Sequence, residues 1–319
     1  MFIRNRKKPL PLRKKDAVIN RLPTGHPKLP LLRKKAAQAQ KGYNGERKLD
    51  YHLKSLPDAF VILNDVTLDV FGKKFQIDSL IITPHSIYIT EVKSVDGTIT
   101  FNTNLKQFIQ NNGEKLEGYR YPITQVENIQ FNLLRWLQNR KLDGLPIYYF
   151  IAFSEQSTIC NVIGNEDAIR KVVSYVDEIP LRIMKMDDQL KQARSGNKQL
   201  KNRIIQAIMN ECEDFDFDVF RKYGIDKSEI LPGVRCPECG VLGMKRLRHK
   251  WRCEKCGACS RNAHLAALSD YALLTHHEIR NKQCRKFLMV NNRGTAHTIL
   301  KRSGITLMKG TKTWRLKRP

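Results

Sequence analysis

Acidic residues are scarce in this chain: its 319 residues hold 31 Asp and Glu against 57 Lys and Arg, a formal net charge of +26. Unopposed charge on that scale favours polyanionic partners, nucleic acid first and anionic membrane second. Long apolar runs are also missing. None reaches the roughly 18 residues that span a bilayer, and no apolar segment of the secretory kind follows the basic residues Arg4, Arg6, Lys7 and Lys8. A reducing, cytoplasmic location is therefore expected. No internal repeat is found. Cysteine is sparse except in one place, with five of the eight falling in residues 236–259. In a reducing compartment such clustering favours a metal over disulfides.

The positive charge is unevenly spread. Residues 1–41 hold 13 Lys/Arg and one acid, and residues 233–319 hold 20 Lys/Arg and four acids. The segment between, 42–232, is left near neutral. This predicts a basic, mobile arm over 1–41, a folded domain over 42–232, a cysteine-rich module over 233–260 and a basic helical module over 261–319.

Within the central domain, apolar spacing predicts a helix from Asn44 to about Leu56, stopped by Pro57. Strands are expected at Phe60 to Leu68, Phe75 to Ile82, Ile87 to Ser94, Gly97 to Phe101, Leu145 to Phe153 and Val172 to Val176. An amphipathic helix is expected over 123–140, carrying Val126, Ile129, Leu133, Trp136 and Leu137 at helical spacing. A polar, exposed helix is expected over 187–211. This order suits an α/β sandwich around a mixed sheet.

The second and third strands form a hairpin about Thr83-Pro84-His85-Ser86. Centred between Pro84 and His85, it sets Ile82 opposite Ile87, Leu80 opposite Ile89 and Asp78 opposite Glu91. Lys93 follows on the same face. Two opposed carboxylates repel unless a cation lies between them, and hard oxygen ligands of this kind suit Mg²⁺ or Mn²⁺. Such an ion, with Lys93 beside it, fits phosphodiester hydrolysis.

Gly45-Glu46, Gln76-Ile77-Asp78, Glu91-Val92-Lys93 with Gly97 just after, and Gln125 occur in an order that resembles the nuclease-related domain (NERD) family. That family is a branch of the PD-(D/E)xK nuclease-like superfamily. The resemblance covers about residues 43–150. It implies a restriction-endonuclease-like core with a four-stranded mixed sheet, Asp78 and Glu91 as metal ligands, and Lys93 as the catalytic lysine. Glu46 would assist at the metal from the first helix, and Gln125 would point into the site from the later one. The stretch before the glutamine, Tyr121-Pro122-Ile123-Thr124, departs from the family's frequent Asn-Pro.

In the basic tail, Cys236-x₂-Cys239 and Cys253-x₂-Cys256 supply four thiolates, enough to close a tetrahedral structural Zn²⁺ site. The pattern resembles a zinc ribbon. Cys259 stands as an alternative to Cys256, and a redox CxxC pair is the competing reading. Cys160, Cys212 and Cys284 read as small core residues. Helices are expected over 261–274, from Glu278 to Met289 and over 293–302, followed by a hairpin over 305–317; together they resemble a winged helix-turn-helix. Candidate nucleic-acid contacts are Arg246, Arg248, Lys250, Arg293, Lys301 and Arg302, with DNA expected before RNA.

The leading functional expectation is a metal-dependent nuclease targeted to nucleic acid by this tail. Its alternatives are a non-enzymatic nucleic-acid-binding protein on a degenerate nuclease fold, and an interaction protein whose basic segments bind acidic proteins or membrane.

Overall fold

The computed structural model describes residues 1–316, which divide into two compact units. The first comprises Met1–Pro9 with Gln38–Phe215; the second comprises Leu10–Ala37 with residues from Asp216 onward. The chain opens with β1 (Phe2–Arg4), α1 (Leu10–Ile19) and α2 (Leu29–Leu53). The strands β2 (Val61–Val70), β3 (Lys73–Ile82), β4 (Ile87–Lys93), β5 (Thr98–Asn102), β6 (Gln107–Asn111) and β7 (Leu116–Tyr119) come next. Then follow α3 (Pro122–Gln138), β8 (Ile147–Phe153), β9 (Ile159–Ile163), α4 (Glu166–Val172), β10 (Val173–Tyr175), α5 (Ile179–Ala193) and α6 (Lys198–Glu211).

In the first unit, six strands form a mixed sheet in the order β1-β2-β3-β4-β8-β10. β3 and β4 pair as expected at Leu80 opposite Ile89 and Ile82 opposite Ile87, but the ladder ends at Ser79 opposite Thr90 and does not reach the expected Asp78–Glu91 pair. β4 and β8 run parallel, the connection between them passing through α3. The apolar stripe of α3 buries Val126, Ile129, Leu133, Trp136 and Leu137, as its spacing requires. A smaller sheet, β7-β6-β5-β9, joins the expected strand β5 to three that the apolar pattern did not mark, β6, β7 and β9.

Period-2 alternation breaks at one level of the main sheet. The core takes Val61 and Leu63, then Val66 and Leu68, from β2; it takes Phe75 and Ile77, then Leu80 and Ile82, from β3. Each strand slips by one residue, at Asn64–Asp65 and at Asp78–Ser79. Asp65 has φ +54°, and the ladder passes from Asn64–Ser79 directly to Val66–Ile77.

Several expectations are corrected. Residues 1–41 do not form a separate arm: β1 pairs with β2, while Ala17, Val18, Leu22, Leu29 and Leu32 pack with Val219, Phe220, Leu273 and Leu274 in the second unit. Their apolar stripe was hidden among Lys and Arg. The main boundary falls at Phe215/Asp216 rather than at 232. The helix expected over 187–211 is two helices, broken around Gly196. A Cβ there would lie 2.8 Å from His85 Cε1, and Asn197 caps α6 through the Leu200 N–H. Nor is α6 merely an exposed helix, since it buries Ile204, Ile205 and Ile208. Pro180 sits in the first turn of α5, where its missing N–H costs nothing.

The second unit continues with α7 (Val219–Tyr223), β11 (Lys245–Arg246), β12 (Trp251–Arg252), β13 (Cys259–Ser260), α8 (Ala263–Leu274), β14 (Glu278–Arg280), α9 (Asn281–Leu288), α10 (Arg293–Arg302), β15 (Thr306–Leu307) and β16 (Thr313–Arg315). A three-stranded sheet β14-β16-β15 follows the helix-strand-helix-helix-strand-strand order of a winged helix. The end of the expected hairpin, Lys317, lies outside the described residues. Ribbon and helical module share one core: Val234, Met244 and Trp251 pack with Ala267, Leu268, Ile299 and Trp314. Among the described residues, no helix is long and apolar enough to cross a membrane.

Candidate active site and metal centre

β4 changes neighbours along its length. Its pairing with β3 ends at Ser79 opposite Thr90, while its parallel pairing with β8 continues to Lys93 opposite Phe153. Asp78 and Glu91 sit where the β3 ladder stops. There Asp78 Oδ2 accepts the Val92 N–H at 3.0 Å, so a carboxylate oxygen takes up a strand donor. Glu91 is buried, 5% exposed. Its Oε1 accepts from Lys93 Nζ at 2.7 Å and from Gln125 Nε2 at 2.5 Å, and Lys93 Nζ also donates to Gln125 Oε1 at 3.0 Å. Gln125 comes from the first turn of α3. The structure thus joins Glu91, Lys93 and Gln125 in one hydrogen-bonded triangle beside Asp78.

Burial, and then repulsion from Asp78, push the Glu91 carboxyl up to about 7, with Lys93 opposing the shift. Asp78 Oδ1 and Glu91 Oε2 accept no hydrogen bond among the described residues. Two hard oxygen donors that repel one another and keep a free lone pair each fit a divalent cation.

Glu46 is placed differently from expectation. Gly45-Glu46 lies well inside the 25-residue α2 rather than opening a helix. Gly45 is there because of close packing: an added Cβ would lie 1.9 Å from Ser94 Oγ and 2.5 Å from Ser154 Oγ. Glu46 Oε2 accepts from Arg6 Nη1 at 2.9 Å. Burial, and then Asp78, push its carboxyl up to about 8. Arg6 was read only as part of a basic terminus, and no local pattern could have shown that it enters this site.

The second centre is the cysteine quartet. Among the described residues, Cys236, Cys239, Cys253 and Cys256 are positioned to bind a metal ion, their sulfurs all within 4.8 Å of one another. The Cys236–Cys256 and Cys239–Cys253 sulfurs are 3.7 and 3.6 Å apart. Tetrahedral Zn–S bonds of about 2.3 Å would set sulfurs about 3.8 Å apart, whereas a disulfide needs about 2 Å. The two knuckles are built alike. Gly240 and Gly257, at φ +73° and +74°, donate back to the Cys236 and Cys253 carbonyls. Cys259 stays outside the quartet, its thiol on the Gly257 carbonyl. Of the cysteines expected in cores, Cys284 is buried but Cys160 is exposed.

Behind the ribbon, Trp251 Nε1 donates to His264 Nδ1 at 3.1 Å. Burial, and then the Arg246 charge, hold the imidazole down to about 4. An unfolded imidazole titrates near about 6.5. Between those values the unfolded chain binds a proton that the folded chain refuses, so stability falls as pH drops through the window. The effect is at most about 3 kcal/mol. Chemical denaturation at pH 7.5 and pH 5 is expected to show a smaller loss in His264→Gln than in the parent. Equal losses would remove His264 from the account.

The charge lies mainly in this unit. Residues 10–37 and 216–319 hold 31 Lys/Arg and nine Asp/Glu, net +22 of the chain's +26. Arg248, Lys250, Arg293, Lys301 and Arg302 are exposed, while α10 buries Ala296, Ile299 and Leu300. Arg246 differs from the other expected contacts. It is half-buried with its guanidinium over the Trp251 ring at 5.2 Å, and its buried Nε and Nη1 have no hydrogen-bond partner among the described residues.

Residues 41–154 match the family model of the nuclease-related domain, NERD, a domain of the PD-(D/E)xK-like type. Glu46, Asp78, Glu91, Lys93 and Gln125 all fall within the matched segment. Among curated proteins, none matches the chain. Among solved structures, protein VC1899 from Vibrio cholerae is similar at 13% identity with a TM-score of 0.29, over 61% of this chain. The match spans 59% of that protein's length.

Proposed function

We propose that the chain is a divalent-metal-dependent phosphodiester hydrolase, directed to nucleic acid, DNA before RNA, by its basic second unit. The observation that carries this reading is the triangle of Glu91, Lys93 and Gln125 beside Asp78, at the point where the β3 ladder gives way. A Mg²⁺ or Mn²⁺ ion held by Asp78 and Glu91 would supply positive charge at a scissile phosphate. Gln125 fixes the Glu91 carboxylate and the Lys93 ammonium in one geometry. Lys93 stabilises negative charge developing on the phosphate oxygens. Glu46 acts at one remove, through Arg6. In the second unit, the cysteine quartet holds a structural Zn²⁺ with no open position, and the exposed cations of α10 and the ribbon meet phosphates.

A second reading, nucleic-acid binding without cleavage, draws on a specific observation. Among the described residues, Glu46, Asp78 and Glu91 do not gather their oxygens within 4.8 Å of one another, as the cysteines do their sulfurs. A nuclease assay with Mg²⁺ and Mn²⁺ on single- and double-stranded DNA and RNA separates the two. Cleavage abolished in both Asp78→Asn and Glu91→Gln is the expected result. Salt-sensitive binding with no cleavage by the parent chain would favour the second reading. Equal cleavage by parent and variants would place the activity elsewhere.

A further inference from the structure

We propose that Phe71, Phe131 and Arg135 form a stacking platform, beside the candidate active site, for the bases of a single, unpaired nucleic-acid strand. The inference deepens the nucleic-acid reading above and rests on it.

The platform joins two elements of the first unit. Phe71 lies at the tip of the β2–β3 hairpin, and Phe131 and Arg135 lie on α3. The Arg135 guanidinium sits 5.7 Å from the Phe71 ring centroid and 5.8 Å from that of Phe131. Both rings are nonetheless open, Phe71 73% and Phe131 59% exposed. Two Phe side chains left in water around one cation contribute little to a core and present apolar ring area to a ligand.

Phe71 is also held in a backbone conformation that its type avoids. Val70 pairs with Lys73, so the loop between them is two residues, Phe71 and Gly72. Their φ values are +52° and +77°. A two-residue hairpin loop with both φ positive favours Asn, Asp or Gly at its first position, and a bulky residue there is a backbone outlier. Strain of that kind points to a demand other than folding. Burial does not select this Phe, since most of its surface is in water. A ligand that stacks on the ring does.

The chemistry narrows the ligand. Bases stack on aromatic rings and on arginine planes without regard to sequence. They do so where their faces are free, as in a single strand and not in a duplex. Arg135 makes no ion pair among the described residues, and Lys73, next after the turn, is exposed. Both charges suit a polyanion. Glu127, the acid of α3, meets the Tyr149 hydroxyl instead. Gln125 of the candidate site heads the same helix. Phe131 and Arg135 follow it by six and ten residues, about 9 and 15 Å along the axis. At about 3.4 Å per stacked nucleotide, that is a span of about three to four nucleotides.

The test uses the full chain with its cysteine site loaded and no added divalent ion. Anisotropy reads the binding of single-stranded and duplex DNA of one sequence, and the fluorescence of 2-aminopurine placed along the single strand reads base stacking. The parent is expected to quench the 2-aminopurine. Phe131→Ala and Phe71→Asn are each expected to weaken single-strand binding by about tenfold, to lose the quench and to hold duplex binding at the parent's level. Phe131→Tyr, which keeps a ring, is expected to behave as the parent does. Phe71→Asn should unfold no earlier than the parent, because Asn tolerates the left-handed turn. A parent that does not quench, or variants that bind and quench as the parent does, would overturn the proposal. Equal losses on single-stranded and duplex DNA, or a Phe71→Asn chain that unfolds earlier, would also overturn it by making the rings structural. So would a parent that self-associates through this surface while both variants stay monomeric, which gives the rings to a second copy. A parent that binds neither strand form instead overturns the underlying nucleic-acid reading.

Discussion

Cys236→Ser with Cys253→Ser is expected to take zinc from about one per chain to near zero and to unfold much of the second unit. One ligand is removed from each knuckle, so neither half of the quartet keeps two thiolates. Structural zinc contributes about 10–16 kcal/mol of apparent binding free energy in small zinc modules, as large as the whole stability of a typical domain. The ribbon is also continuous with the core behind it. Cys236 and Cys253 are each 2% exposed, and they cluster with Val234, Met244 and the fully buried Trp251, which pack on with Ala267, Leu268 and Ile299. Loss of the ion therefore propagates into the helices. Metal analysis of chain purified without added zinc, with calorimetric unfolding, reads both effects. Cys259→Ser is the control: its thiol lies outside the quartet, so zinc and the unfolding transition should persist. A double variant that keeps its zinc and its transition would show that the quartet does not hold the ion.

The ribbon could be read from the sequence because all four ligands and both turning glycines lie in two short, similar segments. The β3–β4 register was readable for the same reason: a four-residue turn and a period-2 stripe fix which residues oppose. Helix α3 announced itself through Val126, Ile129, Leu133, Trp136 and Leu137. The acidic site was only half readable. Asp78, Glu91 and Lys93 fall within one hairpin, and the family resemblance added Gln125. Arg6 meets Asp50, Asp65 and Ser79 across 44, 59 and 73 residues of chain, and no local pattern carries such a contact. The slips at Asn64–Asp65 and Asp78–Ser79 were equally invisible, since strict alternation allows no break. The first 41 residues were misjudged because Lys and Arg dominate their composition. Their few apolar side chains, among them Leu12, Ala17, Val18, Leu29 and Leu32, are nonetheless almost fully buried.

Lys93→Ala and Lys93→Met are expected to lower the turnover of nucleic-acid cleavage by about 10²–10³, the loss typical when one donor to developing negative charge is removed. An ammonium has three donors. Two of them, on Lys93, go to Glu91 Oε1 and Gln125 Oε1, which leaves one to meet a phosphate oxygen. The side chain is 19% exposed, open enough to reach a ligand and enclosed enough for its charge to be strongly felt. Mn²⁺ binding should survive in both variants or tighten, because Lys93 is no ligand and its positive charge opposes a second cation beside Glu91. Asp78→Asn must behave in the opposite way and lose both metal and cleavage. Gln125→Ala should fall between, because it removes the strut that orients Glu91 and Lys93 while leaving both charges in place. Calorimetry with Mn²⁺ and single-turnover cleavage, run on the same preparations, separate these patterns. Full turnover in Lys93→Met would make the lysine a structural counter-ion of Glu91. Loss of Mn²⁺ binding together with turnover in that variant would show that Lys93 acts by holding Glu91 in position rather than on the substrate.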